Sequence, residues 1–393
     1  MKIKQKEIPF WQYESSTGNW KPIFSVVTQD GLPEELSLSI YNILFQLPKK
    51  NVKVETLQRI QNFPASMQEL PSLTRLLIEK VEQSQEQCLS ELQTASKKDA
   101  LESFAQVFLY ELKNNTFTKQ PKLSEAIGKL WNQCVQGGLW TIQEAVALFQ
   151  EYQIGIYCQA YCIDHQERFR KQMQLFQEVS SGIFILCEVG GAHVREMMQN
   201  PFIQDNYLLS HCIFSEEEKE NFWGRNVVLY RKGLPLQKAY ELNLEDRAFY
   251  VQVRIAEKLD VFAVHTSAYD LQTERRKKQL QQTLSFSSYP IVGGDLNIHN
   301  AMDEKNLLEL GLCDCSDTLE NPITFDGDGN SLTQYIYLHC ERRQMKLDRI
   351  LYAEQIPYRL QAVERIATQE YSYGGITAHL SDHFGLQACF VKK

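Results

Sequence analysis

The sequence lacks any run of apolar residues that approaches the ~18 needed for a membrane-spanning helix. No apolar segment follows the N-terminal Met-Lys-Ile-Lys-Gln-Lys-Glu, so no targeting peptide is predicted. Internal repeats and long low-complexity tracts are also missing. With 393 residues, of which 43% are hydrophobic, the chain can build a large core, and a cytoplasmic protein without a transmembrane segment is expected.

The sequence also lacks an excess of positive charge and a regular spacing of cysteines. The formal net charge is -8, which argues against a broad basic face that coats duplex nucleic acid but allows a small phosphate-binding cleft. The ten cysteines are scattered through hydrophobic contexts, so buried free thiols are expected. Cys313 and Cys315 lack a second pair at zinc spacing. No Gly-rich phosphate loop precedes a helix and a lysine.

Two short basic clusters remain to be explained. Residues 275–278 (Arg-Arg-Lys-Lys) are interpreted as the solvated face of an amphipathic helix. The second cluster ends at Lys346, just before a predicted strand, and either faces substrate phosphates or faces solvent.

The most informative stretch is an apolar run that ends in a polar motif, Ile291-Val-Gly-Gly-Asp295-Leu-Asn297. An apolar run closed by two glycines is typical of a buried strand whose backbone closely approaches another group. Because Asp295 and Asn297 are two residues apart, an extended backbone would direct both side chains to one face. They could then serve one phosphate or one attacking water. A turn with a capping Asp gives the same pattern.

Four other predicted strands carry polar groups at or near one end. They are residues 36–44 with Asn42, residues 182–189 with Glu188, residues 260–267 with His265, and the last strand, which Asp382 and His383 precede. An acid inside an apolar run is costly unless it is paired or bound to a metal. Five strands with polar ends therefore predict one site assembled from strand ends.

In their order along the chain, these motifs resemble those of the endonuclease/exonuclease/phosphatase superfamily, which has the DNase I-like fold. They read Tyr-Asn42, Cys187-Glu188-Val, Gly294-Asp295-Leu-Asn297 and Ser381-Asp382-His383, with Cys187 in place of the usual Gln. Val-His265-Thr and Lys346-Leu-Asp348-Arg-Ile resemble two supporting motifs. The resemblance covers about residues 20–46 and 166–393, and it looks most similar to the tyrosyl-DNA phosphodiesterase and sphingomyelinase branches.

This resemblance implies an α/β fold, a four-layer DNase I-like sandwich of two mixed β-sheets flanked by helices. It also implies a cofactor, Mg²⁺ or Mn²⁺. The implied metal ligands are Glu188, Asn42 and Asp382, and the implied catalytic residues are Asp295, His383, His265, Asp348 and Asn297. Asp295 would deprotonate the attacking water, Asp348 would hold His383 in one tautomer, and Asn297 and His265 would bind the phosphate.

The implied function is hydrolysis of a phosphodiester by in-line attack of an activated water, with a nucleic-acid substrate favoured. A phospholipid head group, as in sphingomyelinases, or an inositol phosphate is the alternative, because the fold does not choose among them. An alternative of another class is a non-catalytic scaffold that binds a protein partner.

The sequence departs from the family by a long insertion. Residues 1–46 and 166–393 are predicted to form the phosphoesterase domain, whereas residues 47–165 stand where the family usually has a short loop. Helices are predicted there over residues 54–62, 73–95, 98–112, 123–137 and 141–153. This all-α insertion is either a decorative cap or a partner-binding or substrate-gating module, since insertions leave from strand ends near the site.

Overall fold

A computed structural model of the chain describes residues 4–26, 31–44, 62–64, 66–114, 121–148, 165–222, 224–244, 249–255, 259–268, 272–298, 300–336, 343–373 and 376–393. Within these ranges no helix is long and apolar enough to cross a membrane. The seven cysteines that they contain are free thiols, in agreement with the prediction from the sequence.

Two mixed β-sheets form the centre of the fold. The first has seven strands in the spatial order β1 (Lys4–Glu7), β8 (Lys238–Asn243), β9 (Phe249–Ile255), β10 (Leu259–His265), β11 (Pro290–Asp295), β15 (Asp348–Ala353) and β12 (Leu312–Asp314). The second has eight, in the order β16 (Tyr358–Ile366), β19 (Gly385–Lys392), β4 (Glu35–Asn42), β5 (Ile183–Val189), β7 (Arg225–Arg231), β6 (Tyr207–Leu209), β2 (Phe10–Glu14) and β3 (Asn19–Ile23). Strand β10 pairs with β11 in parallel, as β4 does with β5.

Short elements complete the chain. Two small ribbons pair β13 (Phe325–Asp326) with β14 (Gln344–Met345), and β17 (Tyr371–Tyr373) with β18 (Ile376–Ala378). Among the described residues, the helices include α1 (Ser72–Lys80), α2 (Gln85–Thr94), α3 (Lys97–Asn114), α4 (Pro121–Gln136), α5 (His165–Val179), α6 (Gly191–Gln199), α7 (Pro201–Asn206), α8 (Glu216–Asn221), α9 (Thr273–Leu284), α10 (Ala301–Glu309) and α11 (Ser331–Ile336). Residues 142–148 are also helical. Short 3-10 turns cover Met67–Glu69 and Cys315–Thr318.

The sheets face each other across a shared apolar core. Ile40 and Ile185 of the second sheet pack in one cluster with Val261 and Ile291 of the first. On the far side of the second sheet, α5, α6 and α7 cover its other face, and α9 and α10 cover the far side of the first. The order of layers is therefore helix, sheet, sheet, helix, which confirms the four-layer sandwich predicted from the sequence.

Strand β10 shows why these runs form central strands. Its sequence, Leu-Asp-Val-Phe-Ala-Val-His, is apolar at nearly every position, as expected for a strand covered on both faces. Val261 and Ala263 face the core between the sheets, whereas Phe262 and Val264 face the helices α9 and α10. His265 therefore lies at the end of a strand whose other residues are buried.

The N-terminal residues join both sheets, which the sequence did not predict. Strand β1 is an edge strand of the first sheet, and β2 and β3 form an edge of the second. Strand β1 is Lys-Gln-Lys-Glu, with no apolar residue, and β2 and β3 are short and only partly buried, so the sequence did not mark their place.

The helical insertion has a hydrophobic core of its own. Side chains from α1, α2, α3 and α4 pack together around Phe104, Trp131 and Trp140, and every residue of this cluster lies between Leu73 and Leu148. The helix predicted over residues 73–95 is two helices, α1 and α2, separated at residues 81–84. The helix predicted over residues 54–62 lies outside the described residues, apart from Asn62. The division into domains stays a prediction.

The solvated helix face predicted for residues 275–278 is present at Arg275 and Lys278, which are exposed, but the prediction was wrong for Arg276. Arg276 does not lie on a solvated helix face: its side chain is 1% exposed, and it forms a bidentate ion pair with Asp303, at 2.6 Å and 3.1 Å. Its Nη1 also donates to the carbonyl of Ser267, 2.9 Å away. The charge pattern of α9 alone could not reveal this, because the partner carboxylate lies on α10.

Two glycines bring β11 close to its neighbours. A Cβ on Gly293 would lie 2.8 Å from Ile185 Cδ1 and 2.9 Å from Ile40 Cγ2, both in the opposite sheet. A Cβ on Gly294 would lie 1.9 Å from the carbonyl oxygen of Val264, and Gly294 has a φ of 141°. The close approach predicted from the Gly-Gly pair is therefore present.

We predict that Gly294→Ala lowers the free energy of unfolding by about 3 kcal/mol or more, because the methyl group would overlap a backbone oxygen of β10. Urea titration followed by circular dichroism measures the loss. Gly233→Ala is the control: its φ is also positive, but nothing lies within 4 Å of the added Cβ, so only backbone strain of about 1–2 kcal/mol is expected. Equal losses in the two variants would contradict the close approach.

We also predict that a short Gly-Ser linker can replace residues 47–165 without unfolding the sandwich. Two observations support this: the insertion has a separate core, and Arg168 Nη2 lies 3.4 Å from the carbonyl oxygen of Leu44, which brings the two flanking segments together. Near-ultraviolet circular dichroism and a cooperative thermal transition measure the outcome. An unfolded product would mean that the insertion shares the main core.

Candidate active site

The polar strand ends lie together where the two sheets meet. In the first sheet, Asp295 is the register partner of His265 on one side and of Asp348 on the other. Asn42 ends β4 in the second sheet, and its Nδ2 lies 3.4 Å from Asp295 Oδ2. The structure therefore brings four of the predicted site residues into contact across the two sheets.

Asp295 is the centre of this arrangement. Its Oδ2 lies 3.6 Å from His265 Nε2 as well as near Asn42, and its Oδ1 accepts a 2.9 Å hydrogen bond from the backbone N–H of Asn297. The residue is only 2% exposed. The two hydrogen bonds, from Asn42 and from the backbone of Asn297, hold the carboxylate in one orientation, which a group that positions a water molecule requires.

Asn297 is placed by a different backbone conformation from the extended one that was expected. Strand β11 ends at Asp295, and Asn297 lies in a turn with a φ of 47°, so the two side chains are not paired by strand alternation. The side chain of Asn297 donates to the carbonyl of Thr266, 3.1 Å away. Its amide nitrogen carries a second proton that remains for a ligand.

His383 and Asp348 form a buried pair. The distance from His383 Nδ1 to Asp348 Oδ2 is 2.7 Å, and both side chains are inaccessible or nearly so. Burial by itself lowers the pKa of His383, but the charge and hydrogen bond of Asp348 raise it well above its ordinary value. His383 is therefore held protonated, with Nδ1 directed to Asp348 and Nε2 left to donate.

Thr324 supports this pair from the loop before β13. Its hydroxyl oxygen accepts from the backbone N–H groups of Leu347 and Asp348, and its carbonyl accepts from Phe384, next to His383. Among the described residues, Thr324 thus links the chain segments of both partners. One sequence feature points to Thr324: Thr324-Phe325 resembles a Thr-Phe or Thr-Trp pair that precedes the final strands in the family that the motifs resemble.

Glu188 lies in an irregular part of β5. The register with β7 shifts between Leu186 and Val189, and Glu188 has a φ of 57°. A bulge of this kind redirects a side chain that strand alternation would otherwise place elsewhere. The neighbouring Cys187 points into the core, where its Sγ lies 3.4 Å from the carbonyl of Val264 and burial raises its pKa. The thiol is therefore inert and not a ligand.

The carboxylates fit a hard divalent cation. Ligand atoms of Glu188, His265 and Asp295 all lie within 4.8 Å of one another, and Asp295, Asp348 and His383 form a second such group. The second group fits less well, because its imidazole is already bound to Asp348. The first offers carboxylate oxygens, which Mg²⁺ and Mn²⁺ prefer.

Asn42 and Asp382 flank that group. The amide oxygen of Asn42 accepts from the backbone N–H of Leu44 at 3.0 Å and keeps a second lone pair. Asp382 belongs to neither group, but burial, together with the charge of Glu188, raises its pKa to about 6. A cation between the two carboxylates would relieve this repulsion.

Lys346, whose role was left open, is held by two acids. Its Nζ lies 2.9 Å from Asp314 Oδ2 and 2.6 Å from Asp317 Oδ1. These partners neutralise its charge, so the ion pairs favour a structural role over a phosphate contact.

Comparisons with known proteins find similarity in structure only. No family model matches the sequence, and no curated protein matches it. The solved structures similar to the chain include D. rerio TDP2 in complex with a single-strand DNA product (18% identity, TM-score 0.46, covering 57% of this chain and 92% of that one). TDP2 from C. elegans is similar with 15% identity and a TM-score of 0.44 (76% of this chain, 94% of that one). A Bacteroides thetaiotaomicron protein of the endonuclease/exonuclease/phosphatase family is similar with 14% identity and a TM-score of 0.41 (58% and 87%).

Identities of this size do not carry an activity from one protein to another. The function must therefore be argued from the residues of the site.

We predict that Asp348→Asn lowers the pKa of His383, because the variant removes the charge that opposes the effect of burial. Proton–nitrogen NMR titration of the histidine rings measures it, with His383→Gln used to assign the signal. The wild-type pKa should lie above the usual ~6.5 and the variant's below it. An unchanged pKa in Asp348→Asn would contradict the pairing.

Proposed function

We propose that the protein is a phosphoesterase that depends on a divalent metal, Mg²⁺ or Mn²⁺, and hydrolyses a phosphodiester by in-line attack of an activated water. The observation that supports this most strongly is the position of Asp295. Its carboxylate lies between the acid of Glu188 on one side and the His383–Asp348 pair on the other. A phosphate ester bound there would have a base, a cation site and a cationic donor around it.

Asp295 would orient and deprotonate the attacking water. The contacts from Asn42, His265 and the backbone of Asn297 leave the carboxylate little freedom to rotate. A general base needs this fixed geometry, and such bases typically contribute about 10²–10⁴-fold to a rate.

Glu188 and Asn42 would hold the metal ion, with Asp382 completing its shell. When bound, the ion would supply charge that offsets the negative charge developing on the phosphoryl oxygens. Among these ligands the carboxylates do most to attract the ion, because they bring formal charge into a buried place.

His383, Asn297 and His265 would contact the phosphoryl group. His383 is kept protonated by Asp348 and would donate from Nε2, where a positive donor stabilises the transition state more than the ground state. His265 is partly exposed at the end of β10, so its ring can reach a bound ligand. Asn297 would donate the second proton of its amide.

The substrate class rests on the motif resemblance. The spacing from Thr324 to Asp348 and the closing Ser-Asp-His resemble the tyrosyl-DNA phosphodiesterase and sphingomyelinase branches, and of their substrates we favour a nucleic-acid phosphodiester. A phospholipid head group or an inositol phosphate is the second candidate. The helical insertion would bind a protein partner or gate the substrate. A cytoplasmic location also stays a prediction of the sequence.

A non-catalytic scaffold is the alternative from another class. A binding surface would not require four acids, two amides and two imidazoles to converge at the strand ends, where the buried ones cost free energy. The intact set therefore favours an enzyme.

The test is a hydrolysis screen with bis-p-nitrophenyl phosphate, single-stranded DNA, single-stranded RNA, 5′-tyrosyl DNA, sphingomyelin and inositol phosphates. We expect turnover with Mg²⁺ or Mn²⁺ and none in EDTA. Asp295→Asn should lower the rate by about 10²-fold or more, because it removes the base while keeping the size and shape of the side chain.

Asp205→Asn, the same change at an exposed aspartate on α7, is the matched control and should keep the full rate. The melting temperatures of the two variants should stay close to that of the wild type. Turnover that persists in EDTA, or full activity in Asp295→Asn, would overturn the proposal.

A further inference from the structure

Two side chains of α5 bind the same two backbone carbonyls. Arg168 Nη1 donates to the carbonyl oxygens of Ile43, 3.0 Å away, and Leu380, 2.8 Å away. One turn later, Gln172 Nε2 donates to the same two oxygens, at 3.2 Å and 2.9 Å. We call these four hydrogen bonds the α5 clamp. It joins two parts of the chain that are more than 300 residues apart in sequence.

The carbonyls in the clamp stand beside two of the proposed metal ligands. Ile43 directly follows Asn42, and Leu380 precedes Asp382 by two residues. Both carbonyl-bearing residues are fully buried, so water cannot replace the clamp. A buried carbonyl left without a donor would cost about 1–3 kcal/mol, and the chain would shift to avoid that cost.

On the Asn42 side, the clamp fixes a sharp turn. Leu44 has a φ of 62°, its backbone N–H donates to Asn42 Oδ1, and its own carbonyl lies 3.4 Å from Arg168 Nη2. Leu44 is not a glycine, so this conformation is strained and persists only where surrounding contacts enforce it. The orientation of the Asn42 amide therefore depends on the bonds that hold residues 43 and 44.

The segment that contains Asp382 is held by the clamp and by a second set of hydrogen bonds. Asn330 donates to the carbonyl of Ser381, and Thr333 donates to that of Asp382, both from the start of α11. These bonds hold the segment from one side, whereas Arg168 and Gln172 hold the carbonyl of Leu380 from α5. Without the clamp, this segment would lose only its hydrogen bonds to α5, which lie next to Asn42.

The side-chain hydrogen bonds of Arg168 that the structure describes all go to backbone carbonyls. Its side chain is 7% exposed, and among the described residues no carboxylate forms a salt bridge with it. A planar guanidinium can serve several carbonyls at once in a fixed geometry. These contacts indicate that Arg168 holds the backbone of Ile43, Leu44 and Leu380 in position.

We propose that Arg168 and Gln172 are positioning residues for the metal site, which set the relative placement of Asn42 and Asp382. The inference rests on the proposed function, since it takes these two residues as metal ligands. Groups behind the ligands of a metal ion typically change its affinity by 10–100-fold when removed.

The test is direct binding of Mn²⁺ to the full chain, measured by electron paramagnetic resonance titration, which needs no turnover. Arg168→Met should raise the Kd for Mn²⁺ by about tenfold or more. Gln172→Leu removes one donor that Arg168 duplicates, so a smaller increase is expected. Arg168→Lys should recover part of the affinity, because an ammonium group can donate to the same carbonyls.

Arg231→Met is the matched control. Arg231 Nη1 also donates to a backbone carbonyl, that of Ser180, 2.9 Å away, but at the opposite end of β5 from Glu188. This variant loses a similar bond and should keep the wild-type Kd for Mn²⁺. Thermal melts of the metal-free variants separate a loss of stability from a loss of metal affinity.

The outcomes distinguish failure of the proposed function from failure of the positioning role. If the wild type does not bind Mn²⁺, the proposed function fails. If the wild type binds and Arg168→Met has the same Kd, or the same increase as Arg231→Met, the positioning role is wrong. Should Arg168→Met not fold, an unchanged Kd for Mn²⁺ in the double variant Arg168→Lys/Gln172→Leu, which loses the guanidinium and the duplicate donor together, would overturn the role instead.

Discussion

The structure depends on one constraint at its centre, a carboxylate that must keep one orientation at the buried end of a strand. Asp295 ends a strand whose two glycines allow it to approach both the neighbouring strand and the opposite sheet. The same close packing brings Asn42 across from the other sheet to contact the carboxylate. Core packing and site geometry are therefore set by the same residues, because a wider gap between the sheets would break that contact.

Charge in such a place must be balanced locally. A buried carboxylate without partners takes up a proton instead of remaining charged. In this site His383 offsets Asp348, whereas burial and the charge of Glu188 raise the pKa of Asp382. A cation beside Asp382 would favour its charged form, which is consistent with the proposed chemistry.

The sequence predicted the parts of this site that depend on local pattern. Apolar runs with one polar residue near the end indicated buried strands, and the pairing of Asp348 with His383 was anticipated from the motifs that carry them. What the sequence could not show depends on distant partners or on local backbone. Arg276 looked solvated because Asp303 lies 27 residues further along, and Asn297 looked like a strand residue because its positive φ leaves no mark in the pattern. Arg168 and Gln172 gave no signal, since their acceptors are carbonyls, which every residue has.

The α5 clamp also has a physical reason to exist in this chain. In the family that the sequence resembles, a short loop joins the first strand to the following helix, and such a loop restricts where the strand can end. Here residues 47–165 stand in that place, and a long connection restricts its ends only weakly, because the entropy of closing a loop changes slowly with length. The end of β4 must then be fixed by contacts other than the connection itself. Four hydrogen bonds from one helix turn supply that restraint at Ile43 and Leu380, and they place the end of the strand that bears Asn42 independently of what the insertion does.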